Sequence, residues 1–175
     1  KYTTTGLVRP PIKPMMTSEI NPEEYSKRIQ FYTGDIPPLL LEHLSSTEWA
    51  SCADLGCGDG ALLYALDNGG HLEDKSVYAV DNSQSRLDLV RQINSSFVCT
   101  QTDVCETQFQ DASMDFVIST QVIEHVPSDA DMLREIRRIL APNGILYLAT
   151  VFKKWYGWYF YRCNGKWTLD PTHLR

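Results

Sequence analysis

Ala53-Asp54-Leu55-Gly56-Cys57-Gly58-Asp59-Gly60-Ala61-Leu62-Leu63 is the stretch whose reading decides the fold. A short apolar run at residues 50–55 ends on an acid, passes through three glycines in five residues and enters a helical pattern at about 61–67. Glycines at such a turn let the backbone bend tightly and approach a ligand, while the helix that follows offers free N–H groups to it. Dinucleotide enzymes and purely structural turns also use glycine-rich turns, so the acids carry the discrimination. Asp54 and Asp59 would repel a pyrophosphate, whereas they suit a ligand that carries an ammonium and a sulfonium. The alternative is that Asp54 merely ends the strand and Asp59 caps the helix.

The same alternation continues outward from this stretch. Apolar runs at 76–80, 97–102, 116–120 and 145–151 read as strands, with helices at 83–94 and 128–141. In the last helix Met132, Leu133, Ile136, Ile139 and Leu140 share one face, Ser128 with Asp131 makes a capping-box pattern, and Pro142-Asn143-Gly144 end it. Between the third and fourth strands, around 105–114, no helix is evident. Strands alternating with helices predict a Rossmann-like, doubly wound α/β fold with a mainly parallel sheet and helices on both faces. Ligands in such sheets bind at the carboxyl ends of the strands. Upstream, Pro10, Pro11 and Pro14 favour an extended arm, Asn21-Pro22-Glu23-Glu24 open a helix to about Tyr32, and Leu39, Leu40 and Leu44 make a second helical stripe. Residues 1–49 are thus expected to cap the site, 50–151 to form the binding core, and 152–175 to form an aromatic segment that opens a further helix.

Two more strand ends carry acids. Asp81 ends the second strand about 20 residues after Gly60, where a carboxylate is expected to accept from both hydroxyls of a ribose, with Asn82 beside it. The alternative is a cap for the helix that begins near Ser83. Thr102-Asp103-Val104 ends the third strand and offers a carboxylate for an exocyclic amine and an apolar side chain for a purine face. Together these acids outline an adenosine-shaped site.

These residues, with Asp115-Phe116-Val117-Ile118-Ser119-Thr120-Gln121-Val122-Ile123-Glu124-His125-Val126 and Leu140-Ala141-Pro142-Asn143-Gly144-Ile145-Leu146, resemble the successive motifs of class I S-adenosylmethionine-dependent methyltransferases. They are most similar to the small-molecule branch that includes quinone, sterol and glycan methyltransferases. The resemblance covers roughly residues 54–151. It implies S-adenosyl-L-methionine as cofactor and S-adenosyl-L-homocysteine as product. It also implies that Gly56, Cys57, Gly58 and Gly60 lie against the methionine portion, Asp81 and Asn82 at the ribose, Asp103 and Val104 at the adenine, and Thr120 and Gln121 at the edge of the methyl-transfer site. Members of the family add an antiparallel strand pair, expected here to be missing beyond Arg175, which would leave the strand at 145–151 as an exposed apolar edge through which a homo-oligomer could form.

In that branch the methyl group is already electrophilic, so the protein chiefly aligns the acceptor. His125 is the candidate general base, placed just after the fourth strand, although Glu124-His125 could instead stabilise the loop before Pro127. His173 is a second candidate at the acceptor, while His43 and His71 read as surface residues. Phe152, Trp155, Tyr156, Trp158, Tyr159, Phe160, Tyr161 and Trp167 crowd the segment after the fifth strand, interleaved with Lys153, Lys154, Arg162 and Lys166. They suit an acceptor lid, a lipid-facing surface or an oligomer contact, or else outer packing on the sheet. Tyr32, Trp155, Trp158 and His173 are the acceptor-binding candidates.

The bulk properties bound the alternatives. The 175 residues fit one domain, the formal charge of −6 argues against nucleic acid as a partner, and no apolar run approaches the ~20 residues of a membrane span. The five cysteines show no paired metal-ligand spacing and read as reduced thiols, so no metal and a cytoplasmic location are expected. Lys1 opens the chain in place of Met, so the native N-terminus is expected to be absent. The favoured function is transfer of a methyl group to a small-molecule or lipid-like acceptor. Its rival is a non-catalytic nucleoside-binding module that engages a protein partner through the aromatic segment. An NAD-dependent oxidoreductase is disfavoured by the glycine spacing and by Asp54 and Asp59.

Overall fold

The computed structural model describes residues 35–150 and the backbone of Phe160–Cys163 and Lys166–Leu169. The proline-rich arm, the helix expected to reach Tyr32, and Trp155, Trp158 and His173 lie outside the described residues. Helix α1 (Pro38–Ser46) starts with proline in its first turn, where no N–H is needed, and buries Leu40 and Leu44. Then follow β1 (Ser51–Leu55), α2 (Ala61–Asn68), β2 (Ser76–Asp81), α3 (Gln84–Ile93), β3 (Val98–Gln101), β4 (Met114–Thr120), α4 (Asp129–Ile139) and β5 (Leu140–Ala149). The five strands make one sheet of order β3-β2-β1-β4-β5, and every pairing in it is parallel. Strand order reverses between β1 and β4, so the switch point lies at the carboxyl end of β1, where the glycine turn leaves the sheet.

Side chains alternate across this sheet as the pleat requires. Cys52, Phe116 and Ile118 face a core shared with Leu40 of α1, Leu63 and Leu66 of α2, and Leu87 and Val90 of α3. Ala53, Leu55 and Val117 face the opposite core with Met132, Ile136 and Ile139 of α4. Helices on both faces explain why β1 and β4 are largely apolar rather than strictly alternating. Among the described residues no helix is long and apolar enough to cross a membrane.

The crossover from β3 to β4 contains no helix, as the sequence suggests, and the loop there is tied down by α4. Thr107 donates its N–H to Glu135 Oε1 at 2.7 Å, and its hydroxyl makes a very short bond to the same oxygen. Arg138 reaches the Phe109 carbonyl at 2.8 Å, Asp111 at 2.6 Å and Glu135 at 2.7 Å. Phe109 in turn packs edge-on against Tyr78 with ring centroids 5.3 Å apart.

Two expectations about α4 are corrected. The helix begins as read, with Ser128 Oγ accepting from the Asp131 N–H at 3.2 Å, but it ends at Ile139, ahead of Pro142-Asn143-Gly144. Leu140 pairs with Met114, and that strand pairing overrides the helical pattern. The Pro142-Asn143-Gly144 stop then falls within β5, where the register shifts between Met114 and Phe116 and Asn143 takes φ +66°. Leu133, expected on the buried face, is 41% exposed. Two further strands add to the five read from the sequence: β6 (Phe160–Cys163) and β7 (Lys166–Leu169) form an antiparallel hairpin within the segment read as a lid. Among the described residues β5 has β4 as its sheet partner.

Candidate cofactor site

A cleft of about 390 Å³ opens at the carboxyl ends of β1 and β4, lined by Asp54, Gly56, Cys57, Gly58, Asp59, Ala61, Leu62, Arg86, Thr120 and Gln121. The glycine turn is anchored from below, where the N–H groups of Gly56 and Cys57 both donate to the Val80 carbonyl, at 2.8 and 2.9 Å. Gly56 sits at φ +79°, and a Cβ there would lie 2.3 Å from Val122 Cγ2, so the turn is pressed against the loop that follows β4. Gly58 is also in the left-handed region, at φ +57°, yet a Cβ there would meet nothing within 4 Å. The first glycine is required by packing; the second leaves open space at the cleft.

Asp54 is the most perturbed acid of the site. It is 2% exposed, its Oδ1 has no hydrogen-bond partner, and it lines the cleft. Burial, and secondarily the charge of Asp81, push its carboxyl from the ordinary 3.8 to about 7. A buried oxygen without a donor is costly, and a cation in the cleft would supply the missing partner. Burial also pushes the Cys57 and Cys52 thiols up, so neither is a thiolate nucleophile at neutral pH.

Asp81 is buried and already engaged at both oxygens. Oδ2 accepts the Gly58 N–H at 3.0 Å and Oδ1 accepts the Ser83 N–H at 2.9 Å, with the Arg86 guanidinium 3.7 Å from Oδ2. The bond to Ser83 orders the entry to α3, and the bond to Gly58 ties the glycine turn to β2. Each oxygen keeps a lone pair for a further donor.

The other expected residues are distributed as follows. Thr120 and Gln121 line the cleft, and Gln121 is held at φ +58° while its N–H donates to the Ala149 carbonyl at 2.8 Å. Gly60 begins α2 at φ +84° with its missing Cβ space filled by Ile93 and Val90, which is a helix-packing role. Asn82 is exposed, and its carbonyl accepts from Gln101 Nε2 at 2.9 Å. Asp103 is exposed at the end of β3, with Oδ1 accepting from the Cys105 N–H at 2.8 Å. Val104 is buried in the core under α4. Gly60, Asp81, Asn82, Asp103 and Val104 are not among the residues lining the cleft. His125 is exposed on the loop after β4 and is likewise not part of the lining. Its neighbour Glu124 is buried, and Oε2 accepts from the Thr150 hydroxyl at 2.7 Å, which fastens that loop to the end of β5.

Arg86, Ala61 and Leu62 were not anticipated. Ala61 and Leu62 follow directly from the first turn of α2. Arg86 lies in the first turn of α3, facing back toward Asp81, and the signal that could have found it is its place five residues after a strand-ending acid.

The fold is a doubly wound parallel sheet with a cleft at its switch point, and the glycine turn there carries Asp54 and Asp59. Residues 53–148 match the methyltransferase domain family, and the chain belongs to it. The chain is 33% identical over 97 residues to a probable S-adenosylmethionine-dependent methyltransferase of Mycobacterium tuberculosis, covering 55% of this chain and 34% of that protein. It is 28% identical over 104 residues to a ubiquinone biosynthesis O-methyltransferase of Coxiella burnetii, covering 56% and 42%. A solved structure of an S-adenosylmethionine-dependent methyltransferase from Methanococcus maripaludis superposes with a TM-score of 0.55 at 27% identity, covering 63% of this chain and 53% of that one. The chain thus spans about half the length of these relatives or less. S-adenosylmethionine is the cofactor the family implies, and the cleft fits it: the orphaned Asp54 oxygen suits a cationic group, and the open space over Gly58 leaves room for the main chain of an amino acid.

Proposed function

We propose that this chain holds S-adenosylmethionine in the cleft beside Asp54 and Gly58 and directs its methyl group to a small-molecule or lipid-like acceptor, leaving S-adenosylhomocysteine. The observation that carries this reading is the buried, partnerless Asp54 Oδ1 in the wall of the cleft. The bound cofactor supplies a methyl group already activated by a sulfonium, and the chain supplies position. Asp54 takes the ammonium, Asp81 uses its remaining lone pairs for the ribose hydroxyls, and Asp103, with Asn82 and Val104 around it, meets the adenine. Thr120 and Gln121 border the reacting methyl. His125 acts as base where the acceptor needs one, and Tyr32, Trp155, Trp158 and His173 form the acceptor side. Support for a small acceptor comes from the quinone-directed relative, and the apolar, aromatic character of the segments available to cover the cleft agrees with it.

Titration calorimetry with S-adenosylmethionine, S-adenosylhomocysteine and NAD tests the cofactor, with micromolar binding of the first two and none of the third expected. Release of labelled methyl to a metabolite extract then tests transfer. Binding without transfer would favour the rival nucleoside-binding module, and binding of NAD alone would refute both. We also propose a cytoplasmic location, supported by four described cysteines that are all free thiols, and self-association through the edge of β5 away from β4, which light scattering at varied concentration checks.

A further inference from the structure

We infer that Arg86 is a specificity-determining residue of the cleft: its fixed charge sets how strongly the site distinguishes the methyl-bearing cofactor from the demethylated product. The inference rests on the cofactor reading above and concerns a residue that reading does not use.

Arg86 is the cation of the cleft lining, which otherwise carries Asp54 and Asp59, with Asp81 just behind. Its guanidinium stands 3.7 Å from Asp81 Oδ2, and its side chain is 43% exposed against 5% for Asp81. At that separation it makes an ionic contact, longer than a hydrogen bond. Asp81 does not depend on it for satisfaction, because both carboxylate oxygens already accept backbone N–H groups, from Gly58 at 3.0 Å and from Ser83 at 2.9 Å. Nor does Arg86 donate a hydrogen bond to any other described residue. Its contribution to the cleft is therefore charge, and guanidinium charge is not lost at any working pH.

S-adenosylmethionine and S-adenosylhomocysteine share adenine, ribose, ammonium and carboxylate. They differ by one methyl and by one positive charge at sulfur. Every recognition group common to the two cancels in the ratio of their affinities, and what remains is the field of the cleft at the sulfur. The carboxylates bias that field toward the cationic cofactor, and Arg86 opposes them. Two unit charges held within one cleft, in the intermediate dielectric of a protein surface and partly screened by salt, interact enough to change an affinity ratio by about three- to tenfold. Arg86 thus limits the preference for the cofactor over the product.

The test is titration calorimetry on the full chain with each of the two ligands, for wild type, Arg86→Gln and Arg86→Lys, at low and high salt. Arg86→Gln is expected to shift the affinity ratio about three- to tenfold toward S-adenosylmethionine, with a smaller shift at high salt, and Arg86→Lys to stay within about twofold of wild type. A structural role would weaken both ligands together and leave the ratio alone. An unchanged ratio in Arg86→Gln, or an equal shift in Arg86→Lys, overturns the inference while the cofactor reading stands. Failure of the wild-type chain to bind either ligand overturns the cofactor reading and the inference with it.

Discussion

Replacing Asp54 by Asn should make the chain more stable and less able to hold its cofactor, with a pH dependence that identifies the cause. The folded chain raises the Asp54 carboxyl from 3.8 to about 7, chiefly by burial and then by the charge of Asp81. Below the unfolded value both states hold the proton and the group is neutral to stability. Between 3.8 and about 7 the unfolded chain releases its proton and the folded chain keeps it, so stability falls as pH rises; above about 7 the penalty is constant. At about 1.4 kcal/mol per pKa unit, the penalty grows by about 3 kcal/mol between pH 5 and pH 8. An isosteric amide is neutral throughout and escapes it, at a fixed cost for its own poorly satisfied N–H groups. With about 2–4 °C of melting temperature per kcal/mol for a chain of this size, the melting advantage of Asp54→Asn should be about 5–10 °C larger at pH 8 than at pH 5. Differential scanning fluorimetry without ligand, at both pH values, measures it. A melting difference between variant and wild type that is the same at both pH values would refute the reasoning. Adding S-adenosylmethionine at pH 8 should then raise the wild-type melting point more than that of the variant, because the variant lacks the Asp54 carboxylate to pair with the cation.

Asp81→Ala should weaken S-adenosylmethionine and S-adenosylhomocysteine alike by about 10- to 150-fold on calorimetry if Asp81 holds the shared ribose as proposed, and it also frees Gly58 and Ser83. Gly56→Ala should unfold at markedly lower denaturant, by about 2 kcal/mol or more, since its Cβ would lie 2.3 Å from Val122 in a left-handed backbone. Glu135→Gln should loosen the loop between β3 and β4, seen as faster amide exchange at Thr107. The wild-type carboxyl is held below its ordinary range, first by Arg138, so its stabilisation is present at neutral pH and is lost in acid as pH falls through that lowered value. Trp155→Ala or Trp158→Ala should raise the acceptor KM with cofactor affinity nearly unchanged; a loss confined to melting temperature would reassign those rings to packing.

The parallel core was legible because β1 and β4 are buried on both faces, which writes them as largely apolar runs, and because acids sit at or just beyond the ends of β1, β2 and β3. What escaped was decided by tertiary pairing or by reach. Leu140 looks like a helical residue and becomes a strand residue because Met114 is there to pair with it. The hairpin of β6 and β7 was hidden by its own aromatic content, although Asn164-Gly165 between two runs is a strong short-range hairpin signal. Arg86 carries a long side chain on a helix, and its place five residues after Asp81 was the one signal of it, unused because a long side chain can turn either way. Asp81 was read as either a cap or a ligand group, and the structure gives it two backbone donors, one of them at the entry to α3.

Where the chain breaks the ordinary rules of folding also locates its chemistry. Among the described residues two buried side-chain oxygens have no partner, one on Asp54 near the end of β1 and one on Glu124 in the loop after β4, both at the carboxyl ends of the sheet. The non-glycine residues at positive φ divide in the same way. Asp74, Ala112 and Asn143 serve turns or a bulge on the way into β2, β4 and β5, at the amino ends of the strands. Gln121 alone of that group lines the cleft, directly after β4. At the amino ends the polar groups are satisfied: Asp115 Oδ2 takes the N–H groups of Ala50 and Ser51 at 2.9 and 3.0 Å, and those bonds hold its carboxyl below the ordinary range. The two ends of one sheet thus differ in kind. One is closed on itself, and the other keeps a strained residue, an open glycine and an orphaned carboxylate oxygen around a single cleft, an arrangement that costs stability and that a bound cation would repay.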